Sequence, residues 1–363
     1  MGNVGKLFYR GAHLATLDPL AARRPPGGLF MWSQQGAGGH DAPGGHAPAA
    51  GGGGGKAGAQ VTSGHPGAAN WRVSLYTLTK GIAGGVYLVA LLLRLAPGFT
   101  TPVPITRFMT PVPMTWVVIW SMGVPLLGGL SLVVTGGLLI WDLEHPRRFF
   151  LIFRRPQWRS WLVRGGFLIA GYGVVLALHV VDTFTHHSEW TLILAWLGAP
   201  LALATAVYTA YPFAQAKARD LWQNPLLPPH FAVQAVLAGA AALLPLAEFG
   251  DDAFKPVPGM TPSDLMSPPM LPHLLLIVAV ASLLHLALVL GECTLTHGTA
   301  HAQLAVREMT RGRFRAWFWA GIALSAAGAA APWIGAWAAA PALAGLFAFE
   351  HAYVQAGQSV PLA

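Results

Sequence analysis

Five titratable side chains fall inside long apolar stretches of this sequence: His179 and Asp182, His285 and Glu292, and Glu350. Such groups are expensive in a hydrocarbon setting and by default mark a proton relay, a ligand site or paired interior groups. His179 and Asp182 are spaced i, i+3, and His285 and Glu292 i, i+7, so each pair shares one face of a helix. That spacing admits two chemistries. One is a hydrogen-bonded interior pair; the other is a set of groups that hands protons along. Mid-segment histidines also admit a dihaem cytochrome b-type anchor, with His179 and His285 as axial ligands. A dihaem site takes four such residues at matched depths, and the other histidines sit in connections or at segment ends. The sole cysteine, Cys293, excludes an intramolecular disulfide and any Cys-ligated iron–sulfur cluster or Cys-rich zinc site in this chain. It reads as a small core filler.

The elements that must position these groups are eight apolar stretches, at 75–96, 115–141, 165–184, 190–214, 230–247, 271–292, 316–336 and 338–355. A bilayer core about 30 Å thick takes roughly 20 apolar residues per helix. Hydrophobic residues make up 54% of the chain and charged residues 10%, against roughly 25% charged in a soluble domain. Backbone can be satisfied in lipid only as helix or closed barrel, so the fold class is all-α and polytopic. The basic residues set its orientation. Of 22, all but Arg94, Arg107 and Lys255 lie at the chain start or in alternate connections, Lys80 being about one turn inside the first stretch. The opposite connections carry Asp182, Glu189, Glu248, Asp251, Asp252 and Asp264. Short Lys/Arg-rich loops stay cytoplasmic, which places both termini inside. The net charge of +8 is divided among these loops and forms no basic domain, so nucleic-acid binding is excluded. A secondary transporter would show broken midplane helices and an internal repeat; neither is evident.

Residues 1–70 stand apart. Gln35–Asn70 is mostly Gly, Ala, His and Pro, a composition that cannot offset ordering entropy, so a flexible extension is expected there. No apolar region of signal-peptide length follows the start. His40, His46 and His65 are too loosely spaced for a defined metal site. Gly81, Gly84 and Gly85 in the first stretch allow close helix packing. The boundary between the last two stretches is the weakest, because Ala316–Phe349 is uncharged and only Pro332, Gly335 and Pro341 suggest a turn.

The connection after the second stretch runs Asp142-Leu143-Glu144-His145-Pro146-Arg147-Arg148-Phe149-Phe150, then Arg154-Arg155-Pro156-Gln157-Trp158-Arg159-Ser160-Trp161. Part of this is a positive-inside anchor with an interfacial aromatic belt. With Arg164 just beyond, the connection's six arginines exceed what topology needs, and arginine with tryptophan is what protein interfaces enrich. Arg147, Arg148, Arg155, Gln157, Trp158, Arg159 and Trp161 are therefore expected to dock a cytoplasmic partner.

The segment Asp142–Gly166 resembles the signature loop of the NrfD/PsrC family, the quinone-reactive membrane subunits of polysulfide-reductase-like and formate-dehydrogenase-like complexes. Further stretches are similar to the family pattern: Tyr76-Thr77-Leu78-Thr79-Lys80-Gly81, Tyr208 to Pro225, Gly291-Glu292 with His297 to His301, and Glu350 to Leu362. The resemblance covers residues 71–363. It implies eight transmembrane helices in two four-helix bundles, without haem. It implies electron exchange with a four-cluster ferredoxin-like iron–sulfur subunit, itself bound to a molybdopterin catalytic subunit. The quinone half-reaction, with menaquinone or ubiquinone, would then belong to this chain, in a bacterial inner membrane. The family's quinone sites use residues at these helix ends, so Tyr76, Thr77, Lys80 and Tyr208 are expected to line the pocket. His179, Asp182, His285, Glu292 and Glu350 become the expected proton-transfer groups. The topology is tested by reporter fusions at Gly357 and beside Asp252, which should report opposite sides of the membrane. Signals from the same side would sink it.

Overall fold

The computed structural model describes residues 71–95, 118–142, 149–185, 188–216, 219–253, 270–294 and 299–360. Every element among them is helical. The extension 1–70, together with Arg147, Arg148 and His297, lies outside the described residues.

In chain order the helices are α1 (Trp71–Leu95), α2 (Val124–Trp141), α3 (Leu151–Arg154), α4 (Trp161–Thr185), α5 (Ser188–Val207), α6 (Ala210–Gln215), α7 (Leu227–Ala253), α8 (Leu271–Thr294), α9 (Ala300–Thr310), α10 (Arg315–Ala329), α11 (Ala331–Ile334) and α12 (Ala339–Ser359). Among the described residues seven helices are long and apolar enough to cross a bilayer: α1, α2 with its lead-in, α4, the run from α5 into α6, α7, α8, and the run from α11 into α12. The expected seventh stretch, 316–336, is shorter than its apolarity suggested. Its helix α10 has 15 residues, about 22 Å at 1.5 Å per residue. The helix ends at Ala329, and the chain then turns through α11 and a 3₁₀ segment, Gly335–Ala338. Gly335 takes a positive φ of 67° there, a conformation open to glycine. After the turn α12 runs back along α10. Gly321 faces Phe349, Gly345 faces Ser325 and Gly328 faces Ala342, so one helix descends as the other climbs.

Prolines set the irregular points. Pro125 cannot donate to the carbonyl four residues back, that of Ser121, and the chain before α2 is a π-segment, Ile119–Gly123. The Thr183 hydroxyl donates to the freed Ser121 carbonyl at 2.7 Å. Pro212 likewise cannot donate to the Tyr208 carbonyl. The fourth span breaks at Tyr208–Thr209, and Tyr211 N–H takes that carbonyl in a tight turn at 3.0 Å.

Helix α1 is central, packing against α2, α5, α7 and α12. Its closest crossing is with α7. A Cβ on Gly85 would lie 1.8 Å from the Ala235 carbonyl oxygen, and one on Gly239 would lie 2.0 Å from the Gly85 carbonyl carbon. Two backbones in contact leave no room for a side chain, the usual reason for small residues at membrane helix crossings. Gly81, one turn earlier, is different: its nearest foreign atoms would be 3.8 Å away. Gly85→Ala should therefore destabilise the detergent-solubilised chain by about 1–3 kcal/mol, the usual range for overpacking. Gly81→Ala should melt close to the parent. Equal melting of both variants would remove the glycine crossing as the determinant.

Candidate functional site

The break at 208–209 turns Thr209 and Tyr208 toward α1, where Lys80 is completely buried. The Lys80 ammonium donates to Thr209 Oγ1. It lies 5.1 Å from the Tyr208 ring centre and 4.6 Å from that of Phe231. Among the described residues no carboxylate pairs with it directly. A desolvated cation held by ring faces and one hydroxyl is an electrophile with spare capacity. The Tyr208 ring packs against Gly165 of α4, where a Cβ would sit 2.4 Å from it. Tyr76, one turn before Lys80, is buried in the apolar cluster that includes Val73 and Leu138.

Thr77 links α1 to α12. Its hydroxyl bonds Glu350 Oε2 and also reaches the Ser74 carbonyl at 2.8 Å. One hydroxyl proton cannot serve two acceptors. Both contacts are satisfied when Glu350 carries a proton and donates to Thr77, which donates onward to Ser74. Next on α12, His351 Nδ1 lies 3.3 Å from the Ser74 hydroxyl.

A second buried set joins α7 and α8. His230 Nδ1 is 2.9 Å from Glu292 Oε1, and its Nε2 is 2.8 Å from His285 Nδ1. His230 thus sits between the two residues whose i, i+7 spacing put them on one face of α8. Glu292 Oε2 and His285 Nε2 are buried without hydrogen-bond partners among the described residues. Between the two sets lies a cavity of about 10 Å³, lined by Thr77, His230, Gln234, Glu292, Glu350 and Phe231 among others.

His179 and Asp182 lie elsewhere. Tyr87 of α1, fully buried, donates to the Leu194 carbonyl at 2.7 Å and meets His179 Nε2 at 2.8 Å. Tyr87's one proton goes to the carbonyl, so His179 Nε2 carries a hydrogen and donates. The edge of Trp120 closes on His179 at 5.0 Å between ring centres. Gly198 makes room, since a Cβ there would be 2.1 Å from the Tyr87 oxygen. Tyr87 is seven residues, about 10 Å along α1, beyond Lys80. Glu350 and Glu292 thus line one cavity, with His285 joined to it through His230, and His179 belongs to a separate cluster.

On the basic side Arg155, Gln157, Trp158 and Arg159 are exposed, Trp158 to 56%. Trp161 is half-buried and stacks on Tyr211 at 4.1 Å. Arg164 lies over Trp161 at 4.7 Å, and its Nε donates to the Trp158 carbonyl at 2.6 Å. The loop is thus tied to α6, which follows the break at Tyr208. After α6, Arg219 is buried and donates to the carbonyls of Gly357, Gln358 and Val360 at 2.8 to 3.0 Å. Burial holds its pKa below the ordinary arginine value. At the end of α2, burial raises Asp142 to about 6, opposed by the Arg72 charge.

Sequence reasoning passed over His230, Thr209, Gln234 and Arg219. His230 and Gln234 had a usable signal: a titratable and a polar residue at i, i+4 opening an apolar stretch. Thr209 and Arg219 had none, because their partners lie in distant segments. Among the described residues no group of three His, Cys, Asp or Glu side chains is placed to hold a metal.

A family model described as polysulphide reductase, NrfD, matches residues 65–338, and the chain belongs to the NrfD family. Proteins of this family are quinone-reactive membrane subunits of oxidoreductases and normally work with an iron–sulfur subunit. Among curated proteins none matches the chain.

Proposed function

We propose that this chain carries the quinone half-reaction of an oxidoreductase complex in a bacterial inner membrane. The observation that carries the reading is the buried Lys80, set between Thr209 and the Tyr208 ring behind the exposed arginine–tryptophan loop. A quinone site needs an apolar slot with a few polar groups aimed at the ring oxygens. The donor set here fits. Lys80 offers a cation, Tyr208 a phenol, and Thr77 and Thr209 hydroxyls, with Tyr76 and Phe231 as apolar walls. The adjoining cavity of about 10 Å³ has room for about one water, so a ring enters only when a wall side chain moves aside. When bound, a quinone supplies a two-electron, two-proton couple; menaquinone and ubiquinone both present the same oxygens.

Each residue has a share in this reading. Lys80 stabilises charge that develops on a ring oxygen, an interaction that strengthens in a water-poor site. Thr209 holds the ammonium in place, and Tyr208 orients a second donor from the broken fourth span. Glu350, Glu292 and His285 exchange protons with the basic side, and His179 and Asp182 serve the opposite end. Arg155, Gln157, Trp158, Arg159 and Trp161, with Arg147 and Arg148, dock a four-cluster ferredoxin-like subunit, through which a molybdopterin subunit is reached. The site then lies on the docking face, which shortens the electron path.

This assembly needs eight spans in two four-helix bundles with both termini cytoplasmic. The hairpin of α10 and α12 supports an eighth crossing. The packing of α1, α2, α4 and α5 with one another, and of α7, α8, α10 and α12, supports the two bundles. The exposed Trp333 and Trp337, 82% and 83% accessible at the α10–α12 turn, suit an interfacial belt on the far side.

Lys80→Ala in the assembled complex should lower quinone-linked turnover by about 10²-fold or more, in line with loss of one electrostatic donor. Reduction of an artificial dye at the catalytic subunit should persist. Tyr208→Phe should act in the same direction more weakly. Arg155→Ala with Trp158→Ala should release the iron–sulfur partner while the spans stay inserted. Unchanged quinone kinetics in both Lys80→Ala and Tyr208→Phe would put the site between other helices.

A further inference from the structure

The cavity between the two buried sets has the chemistry of a water site. Its walls carry Thr77, His230, Gln234, Glu292 and Glu350. A site of this size holds a water when two to four polar partners surround it. Glu292 brings a specific need: Oε1 is taken by His230, and Oε2 is buried with no partner among the described residues. Buried polar atoms are rarely left unpaired, and ordered water is a common partner.

We infer that one ordered water in this cavity joins Glu292 Oε2 to Glu350, closing a proton chain that runs Glu292, water, Glu350, the last held by Thr77 one turn before Lys80 on α1. Glu292 lies in the last turn of α8, at the basic-side end. Glu350 lies nine residues before Ser359 at the end of α12, about 13 Å along that helix from its basic-side end at 1.5 Å per residue. The chain therefore leads inward from the face where the partner docks. His230 is a positioning residue here. It holds Glu292 through Oε1, and His285 holds His230 through the other ring nitrogen.

The route also has a side. Beyond the cavity, α7 from Ala235 to Leu244, α8 from Leu274 to Ala281 and α12 from Ala339 to Phe349 carry no polar side chain. In α10 only Ser325 interrupts the same pattern. Protons reaching Glu350 through this half of the molecule come from the basic side and return to it. Quinone reduction takes up two electrons, delivered by the iron–sulfur partner, and two protons, which form the two O–H bonds. The chain supplies protons for that step, and quinol oxidation runs it in reverse.

Its use for a quinone rests on the function proposed above, but the water-linked chain does not, and the test separates the two. The full-length protein in lipid bilayers, without partner or quinone, is transferred to D₂O and followed by infrared spectroscopy. The protonated carboxyl band of Glu350 is identified by its loss in Glu350→Gln. In the parent this band exchanges quickly. Glu292→Gln and Gln234→Leu should each slow its exchange by about tenfold or more, as for loss of a relay group. Trp337→Phe, on the exposed α10–α12 turn, should leave the rate unchanged. If Glu292→Gln fails to fold, Gln234→Leu reads the same step. Parent-like exchange in the folded variants overturns the chain, as does the absence of any band lost in Glu350→Gln across the pH range. A failed Lys80 test with slowed exchange here would discard the quinone site and leave the proton chain standing.

Discussion

The contact of Gly85 on Gly239 is the constraint on which the rest of the site depends. Two backbones touch there, and this fixes the distance and rotation of α1 against α7. Lys80 lies five residues before Gly85, and Phe231 lies eight before Gly239, so the crossing sets how the ammonium meets the Phe231 ring. It also brings Thr77 of α1 and His230 of α7 to the walls of one small cavity. A single methyl group at either glycine would pry these elements apart.

Within that frame the interior is divided by depth. On the basic side the helices bury a lysine, two glutamates and several histidines; beyond it α7 and α12 bury almost only Ala, Leu, Val, Gly and Phe, and the first spans bury the Tyr87–His179 cluster. Charge in such an interior is tolerated where hydrogen bonds and ring faces replace water. Lys80 has Thr209, Tyr208 and Phe231; Glu350 has Thr77; Glu292 has His230. None of these groups is matched by a directly opposed charge except in the His230–Glu292 contact. A site so arranged responds to a ligand's developing charge, whereas a tight Lys–Glu pair would already have neutralised it.

Much of the architecture was legible in the residues themselves. The long apolar stretches announced the membrane-length helices, and glycine at 85 announced a close crossing. The i, i+7 spacing of His285 and Glu292 placed both on the face that His230 now bridges. Less could be read where a feature depends on a distant segment. The end of α10 at Ala329 has no charge or polar cap to mark it. Tyr208 and Thr209 face Lys80 because Pro212 breaks the span, and the direction of such a break is set by packing. His179 has a clear depth along the chain, yet only the helix neighbours reveal that Tyr87 holds it apart from Glu350. Arg219 reads as one more positive-inside residue until the carbonyls of Gly357, Gln358 and Val360 close around it.

The central claim is that quinone chemistry takes place at Lys80, between α1 and the broken fourth span. A photoreactive quinone, activated in the assembled complex and competed with the native quinone, tests it most directly. The account predicts competable label in peptides spanning Tyr76 to Lys80 and Tyr208 to Phe213. Competable label confined to the far-side peptides around His179 and Trp120, with none near Lys80, would contradict it.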